Sequence, residues 1–242
     1  MGHQNRATPH SVLMHIAIIE SITPATPTIR IFQLTCADAS FYRLAGQWIN
    51  VSRDIGGETI TASFSVASSP ASPNQIELAI RHSHQHALTR WLHESAKPGD
   101  RLHISNGQGN FIWHPDMPEP LLLIGAGTGI APLMSIFRLA AAKRKPATLL
   151  YSITSQQEYL YREELATLVN DSTIRHITTL TRPDPTWHGK TGRINRELLR
   201  EAGAGPTTRC YLCGPREMVD DLAAALPELG VPENNIIFEK WW

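Results

Sequence analysis

The run Leu121-Leu-Leu-Ile-Gly-Ala-Gly-Thr-Gly-Ile-Ala-Pro132 constrains this 242-residue chain more than any other. A short apolar strand enters a loop of three glycines, and a helical pattern over Ala131–Lys143 follows at once. Glycine lets the backbone turn tightly and come close to a pyrophosphate, while the unsatisfied N–H groups and positive dipole end of the next helix attract the anion. Pro132 suits a first helical turn, where a missing N–H costs nothing. Taken alone, G-x-G also fits a plain strand-to-helix turn, but strand, loop and helix together point to nucleotide binding. The detail departs from a common dinucleotide fold. That fold expects a carboxylate for the ribose hydroxyls at the end of the next strand. Here that strand ends Tyr151-Ser-Ile-Thr-Ser155, and the first carboxylate is Glu158.

The glycine loop sits in the second of two textures. Before it, Val12–Glu20, Thr28–Leu34, Trp48–Arg53, Ile60–Ala67, Ile76–Arg81 and Arg101–Ser105 read as short strands separated by Gly, Pro, Ser and Asp clusters. One helix over Ala87–Ala96 interrupts them. Such spacing predicts a small antiparallel β-barrel. After Pro115–Pro120, strands at Leu121–Gly125, Ala147–Ser152, Ile174–Leu180, Cys210–Cys213 and Ile236–Glu239 alternate with helices at Ala131–Lys143, Glu158–Val169, Arg193–Glu201 and Arg216–Leu229. That alternation predicts an α/β domain with a parallel sheet. Two domains are expected, 1–116 and 117–242.

Twenty-two Lys and Arg balance 22 Asp and Glu, so the chain lacks the basic footprint of a nucleic-acid binder. The apolar stretch Leu121–Gly127 is far short of the ~20 residues of a membrane span, and the first residues show no basic stretch followed by a long apolar run, so neither a span nor a secretory leader is expected. Three cysteines supply neither a disulfide framework nor an iron–sulfur ligand set, so a cytoplasmic protein (or one of the mitochondrial matrix, if eukaryotic) is expected.

Three further features invite chemistry. Phe64-Ser65, near a strand end, pairs a planar ring with a hydroxyl, although a routine strand end with a Ser-Pro turn explains it equally. Trp241-Trp242 at the end of the chain suits an aromatic cover over a flat ligand or a plug in a pocket. His82, His84 and His86 share a face of an extended segment, but with no acidic or cysteine partner identifiable, no metal site is expected.

In this order, the motifs resemble the ferredoxin–NADP reductase superfamily over nearly the whole chain. Gly46-Gln47, Ala79-Ile-Arg81 with Thr89-x-x-Leu92, Pro98-Gly-Asp100, Gly109-x-Phe111, Leu180-Thr-Arg, Gly192-Arg-Ile194 and Cys213-Gly-Pro-x-x-Met218 add to the likeness. The ending Phe-Glu-Lys-Trp-Trp is most similar to the oxidoreductase NAD-binding domain-containing proteins. The resemblance implies a flavin-binding barrel (FAD or FMN) and a domain for NADH or NADPH. Phe64 would pack on the flavin ring and Ser65 would bond near its N5. Ala79, Ile80 and Arg81 would border it, and Thr89 would hold its phosphates. Gly125, Gly127, Thr128 and Gly129 would receive the nucleotide pyrophosphate, with Arg182 near the adenosine ribose. Cys213 and Glu239 would line the nicotinamide pocket, and Gly214, Pro215 and Met218 would be further cofactor contacts. Trp241, with Trp242 beyond it, would cover the flavin as a gate. The implied activity is hydride transfer from NAD(P)H to flavin and onward transfer of electrons to an external protein or small-molecule acceptor. Ser65, Cys213, Glu239 and Trp241 are the residues implied at the reacting end.

Two positions depart from the pattern. The superfamily's phosphate-binding arginine is Ala62 here, and a glycine near the flavin phosphates is His86. Arg81, Arg90 and the histidine run are the nearby replacements. The departures leave two other readings open: a flavin-free NAD(P)-binding regulatory module, and a reductase that uses loosely held flavin.

Overall fold

The computed structural model describes residues 14–169 and 173–241, for Trp241 the backbone alone. Val12, Leu13 and Trp242 therefore lie outside the described residues, as does the Trp241 side chain.

The first half is built from β1 (Met14–Pro24), β2 (Ile29–Thr35), β3 (Trp48–Ile55), β4 (Glu58–Ser65), β5 (Gln75–Arg81), helix α1 (Ala87–Glu94) and β6 (Arg101–Ser105). Its strands form one antiparallel sheet in the order β4-β3-β6-β1-β2-β5. An antiparallel bridge between Val66 and Leu78 joins the two edges and closes the sheet at that end. Alternation puts Ala17, Ile19, Phe32, Leu34, Ile49 and Val51 inside, where α1 adds Leu88 and Leu92 to the same core.

The second half comprises β7 (Leu121–Ala126), α2 (Ile130–Ala142), β8 (Ala147–Ile153), α3 (Arg162–Leu168), β9 (Ile174–Leu180), β10 (Lys190–Thr191), α4 (Arg196–Glu201), β11 (Arg209–Pro215), α5 (Arg216–Glu228) and β12 (Ile236–Trp241). These strands form a parallel sheet in the order β10-β9-β8-β7-β11-β12. The chain leaves β7 toward β8 on one side, and β11 lies on the other. The crevice at the carboxyl ends of β7 and β11 is therefore the switch point at which such sheets bind ligands.

The helix expected over Glu158–Val169 is only α3, Arg162–Leu168. Glu158 ends a 3-10 turn over Gln156–Glu158, and Tyr161 adopts a left-handed backbone, φ 60°, which separates that turn from the helix. The helix expected from Arg193 starts at Arg196, because the Asn195 side chain accepts the Leu198 N–H and caps it there.

The halves share a core. Ala45, Ala67, Phe111 and Trp113 pack in one cluster with α2, β7 and β8. Ser135 Oγ of α2 donates to the Ser68 carbonyl at 2.9 Å, and the Tyr211 hydroxyl donates to the Ile112 carbonyl at 2.7 Å.

Candidate active site

A cavity of about 1010 Å³ opens at the switch point. Gly127, Thr128 and Gly129 form its floor as a single 3-10 turn between β7 and α2. Gly127 has φ +53°, and its carbonyl accepts the buried Tyr151 hydroxyl at 3.1 Å. Gly129 must be glycine, because a Cβ would collide with the Cys213 carbonyl and stand 2.9 Å from the Gly214 nitrogen. Gly125 is buried near the end of β7 and is not among the residues that line the cavity; a Cβ there would stand 2.6 Å from Leu133 Cδ1. No acidic residue occupies the first turn of α2, so its positive end faces the cavity uncompensated from within the helix.

The walls carry Arg182, Arg193, Gly214, Pro215 and Met218. The Arg182 N–H donates to the Thr154 carbonyl at 2.8 Å, which fixes the backbone beyond β9. From the barrel, Arg81 reaches across: its Nη2 is 4.0 Å from Glu158 Oε2, and both residues line the cavity. The carboxylate absent from the end of β8 is thus placed one turn later, against a guanidinium of the other half. No local signal announced this pair, because its members belong to different domains.

A second group meets beside the cavity. Cys213 and Glu239 are register partners on β11 and β12. Ser65 is paired with Trp48 across β3 and β4. Gly109 joins the two groups: a Cβ there would stand 2.6 Å from Trp48 Nε1 and 3.3 Å from Glu239 Oε1. Glu239 Oε2 is buried without a hydrogen-bond partner, and burial pushes its carboxyl up to about 7. Trp48 was not singled out from the sequence, where it reads only as the first residue of a strand.

Other expected flavin contacts are placed differently. Phe64 and Ser65 are half-buried at the end of β4, and Ala79 packs against the shared core. The Ile80 side chain instead points into the barrel core, and its carbonyl is bonded by His93 Nε2 at 2.9 Å, so Ile80 offers no side chain to the cleft. Thr89 is buried with its hydroxyl turned to the carbonyls of His86 (2.9 Å) and Ser83 (3.2 Å), fastening the loop rather than facing outward. Arg81, a candidate replacement for the arginine missing at Ala62, points here to Glu158 and the glycine turn. The backbone of Trp241 pairs with Pro215 at the cavity wall.

Residues 15–113 match the oxidoreductase FAD-binding domain family, and residues 123–224 match the oxidoreductase NAD-binding domain family. Ferredoxin–NADP reductase B of Sorangium cellulosum is 32% identical over 93% of this chain and 96% of its own length. The chain belongs to the ferredoxin–NADP reductase family. Oxidoreductase NAD-binding domain-containing protein 1 of Bos taurus is also 32% identical, over 91% of this chain and 78% of its own. In fold, a ferredoxin NADP+ reductase from Neisseria gonorrhoeae solved with FAD and NADP superposes with a TM-score of 0.82 at 22% identity, covering 95% of this chain and 99% of that one. Family membership makes FAD and NAD(P)H the cofactors. The residues present fit both groups: a glycine-flanked turn at a helix N-terminus for the pyrophosphate, and a buried carboxyl, its Oε2 without a hydrogen-bond partner, beside Trp48 and Cys213. Among the described residues, no helix is long and apolar enough to cross a membrane.

Proposed function

We propose that this oxidoreductase takes hydride from NAD(P)H and delivers electrons to an external acceptor, a protein or a small molecule. The observation that carries the reading is the convergence of Ser65, Trp48, Gly109, Glu239 and Cys213 beside the glycine turn. Bound FAD supplies the two-electron chemistry, and the chain supplies position. Gly127–Gly129 and the N-terminus of α2 hold the pyrophosphate, and Cys213 and Gly214 shape the wall beside the nicotinamide. Arg81 holds Glu158 on the barrel side of the cavity. Phe64 and Ser65 present a ring face and a hydroxyl to the flavin ring. With a carboxyl near 7, Glu239 holds or releases a proton at working pH without leaving the site. Trp241, at the wall beside Pro215, gates the nicotinamide. The boundary between the flavin and nucleotide domains is placed at 116/117, in the loop between β6 and β7.

A second reading, loosely held and exchangeable FAD, is favoured by Ala62 and by the inward hydroxyl of Thr89. The absorption spectrum of freshly purified protein tests both. Flavin bands with NAD(P)H-dependent dye reduction support the first reading. A colourless protein whose activity returns with added FAD supports the second. A colourless protein that binds NAD(P)H and stays inactive with FAD overturns both, and leaves the nucleotide-binding module.

A further inference from the structure

The histidine run that follows β5 acquires in the fold a partner that its own segment does not contain. Beyond Arg81 the chain turns at His82, whose N–H donates to the Thr28 carbonyl at 2.8 Å. It then folds back so that the last turn of α1 lies beside it. This places Glu94 against His82 and His84, with one ligand atom of each residue within 4.8 Å of the others. The His82 and His84 rings meet edge to face at 4.3 Å between centroids. His82 Nε2 is buried and makes no hydrogen bond, although it lies 3.4 Å from Glu94 Oε1.

We propose that His82, His84 and Glu94 bind one divalent metal ion of the zinc class. Two imidazoles and a carboxylate form the donor set that such ions take, and three protein ligands leave a fourth position for water. Bond lengths of about 2.0–2.2 Å set the ligand atoms of a tetrahedral ion about 3.3 Å apart, so the cluster must contract by on the order of 1 Å. Exposed His84 and Glu94 are free to make that movement, while the frame beneath them is fixed. His93 Nε2 bonds the Ile80 carbonyl at 2.9 Å, so this nitrogen carries the proton and the ring is held against His82, 4.9 Å between centroids. Arg30 Nη1 donates to the His93 carbonyl at 2.5 Å, and Thr89 Oγ1 reaches the Ser83 carbonyl. His86 stands apart as the residue preceding α1, so the alternation His82, His84, His86 is not itself the ligand set. Bound metal would staple the 82–84 loop to the end of α1 and so stiffen the segment that carries Thr89. The proposal rests on this geometry and not on the redox reading.

The test is titration of tag-free, chelator-stripped full-length protein with zinc chloride against a chromophoric chelator, repeated with cobalt(II). One zinc per chain and visible cobalt bands of a four-coordinate ion are expected. His84→Ala and Glu94→Gln, both at exposed positions, should each weaken zinc at least tenfold, while His114→Ala, outside the cluster, should not. Circular dichroism confirms that each variant is folded, and His84→Gln serves in place of any that is not. Substoichiometric zinc, or affinity that survives both His84→Ala and Glu94→Gln, overturns the site and assigns any bound metal to other histidines.

Discussion

Arg138 Nη1 of α2 lies 2.7 Å from Glu77 Oε1 of β5, an ion pair between the nucleotide half and the barrel in which Glu77 is buried and Arg138 mostly so. The same guanidinium donates to the Ala67 carbonyl at 2.8 Å, to both Glu164 oxygens at 2.6 Å, and lies 5.0 Å from the Tyr161 ring centroid. Burial works against its charge, but Glu164 and Glu77 outweigh that, and the group is held protonated above the usual arginine range. Removing one partner from such a network strands a buried charge, which costs about 3–5 kcal/mol. Arg138→Ala should therefore lower the thermal midpoint by on the order of 10 °C. A calorimetric midpoint within 2 °C or so of the parent would show that the clamp contributes little.

Glu239 gives a pH signature. Its carboxyl is raised in the folded chain from 4.5 to about 7 by burial. Between those values the unfolded chain binds fewer protons than the folded one, so this residue's contribution to stability is full below about 4.5 and declines as pH rises through 7. Glu239→Gln should flatten that part of the stability profile. It should also remove an inflection near pH 7 from kcat/KM for NAD(P)H. Profiles that coincide for parent and variant would remove Glu239 from the proposed chemistry.

Gly129→Ala places a methyl group against the Cys213 carbonyl. The backbone on both sides must move, at about 1–3 kcal/mol, because neither neighbour is the tip of a flexible side chain. KM for NAD(P)H should rise at least tenfold while bound FAD is retained. Fluorescence titration with the reduced nucleotide and the flavin spectrum read the two effects separately.

Ala62→Arg restores a guanidinium where the superfamily carries one. A charge-assisted contact to a phosphate is worth about 1.5–3 kcal/mol. FAD affinity should therefore rise about ten- to hundredfold, read as the dissociation constant after flavin stripping. An unchanged constant would mean that FAD phosphate is held by other groups.

Deleting Trp241 and Trp242 should change nicotinamide affinity, or the preference between NADH and NADPH, while flavin content stays near that of the parent. Steady-state kinetics with both nucleotides, beside the flavin-to-protein absorbance ratio, check this. Identical kinetics would end the gating role.

The sequence alone determined the architecture and the cradle. Strand–glycine–helix order leaves the chain at Gly127–Gly129 few conformations, and alternation of apolar residues with period two or 3.6 is a local property that each element carries within itself. The superfamily motifs likewise named Cys213 and Glu239, which the parallel register of β11 and β12 sets side by side. Tertiary structure alone decided what depends on contacts between distant segments. Arg81 meets Glu158 across the cavity, Gly109 stands between Trp48 and Glu239, and Arg138 is locked to Glu77. It also decided that the Ile80 side chain packs in the barrel core and that the Thr89 hydroxyl bonds carbonyls of its own loop, because apolar burial favours the first and loop carbonyls are at hand for the second. Glu94 is the plainest case. Along the chain it is an ordinary surface glutamate, and only the packing of α1 against the end of β5 brings it to His82 and His84.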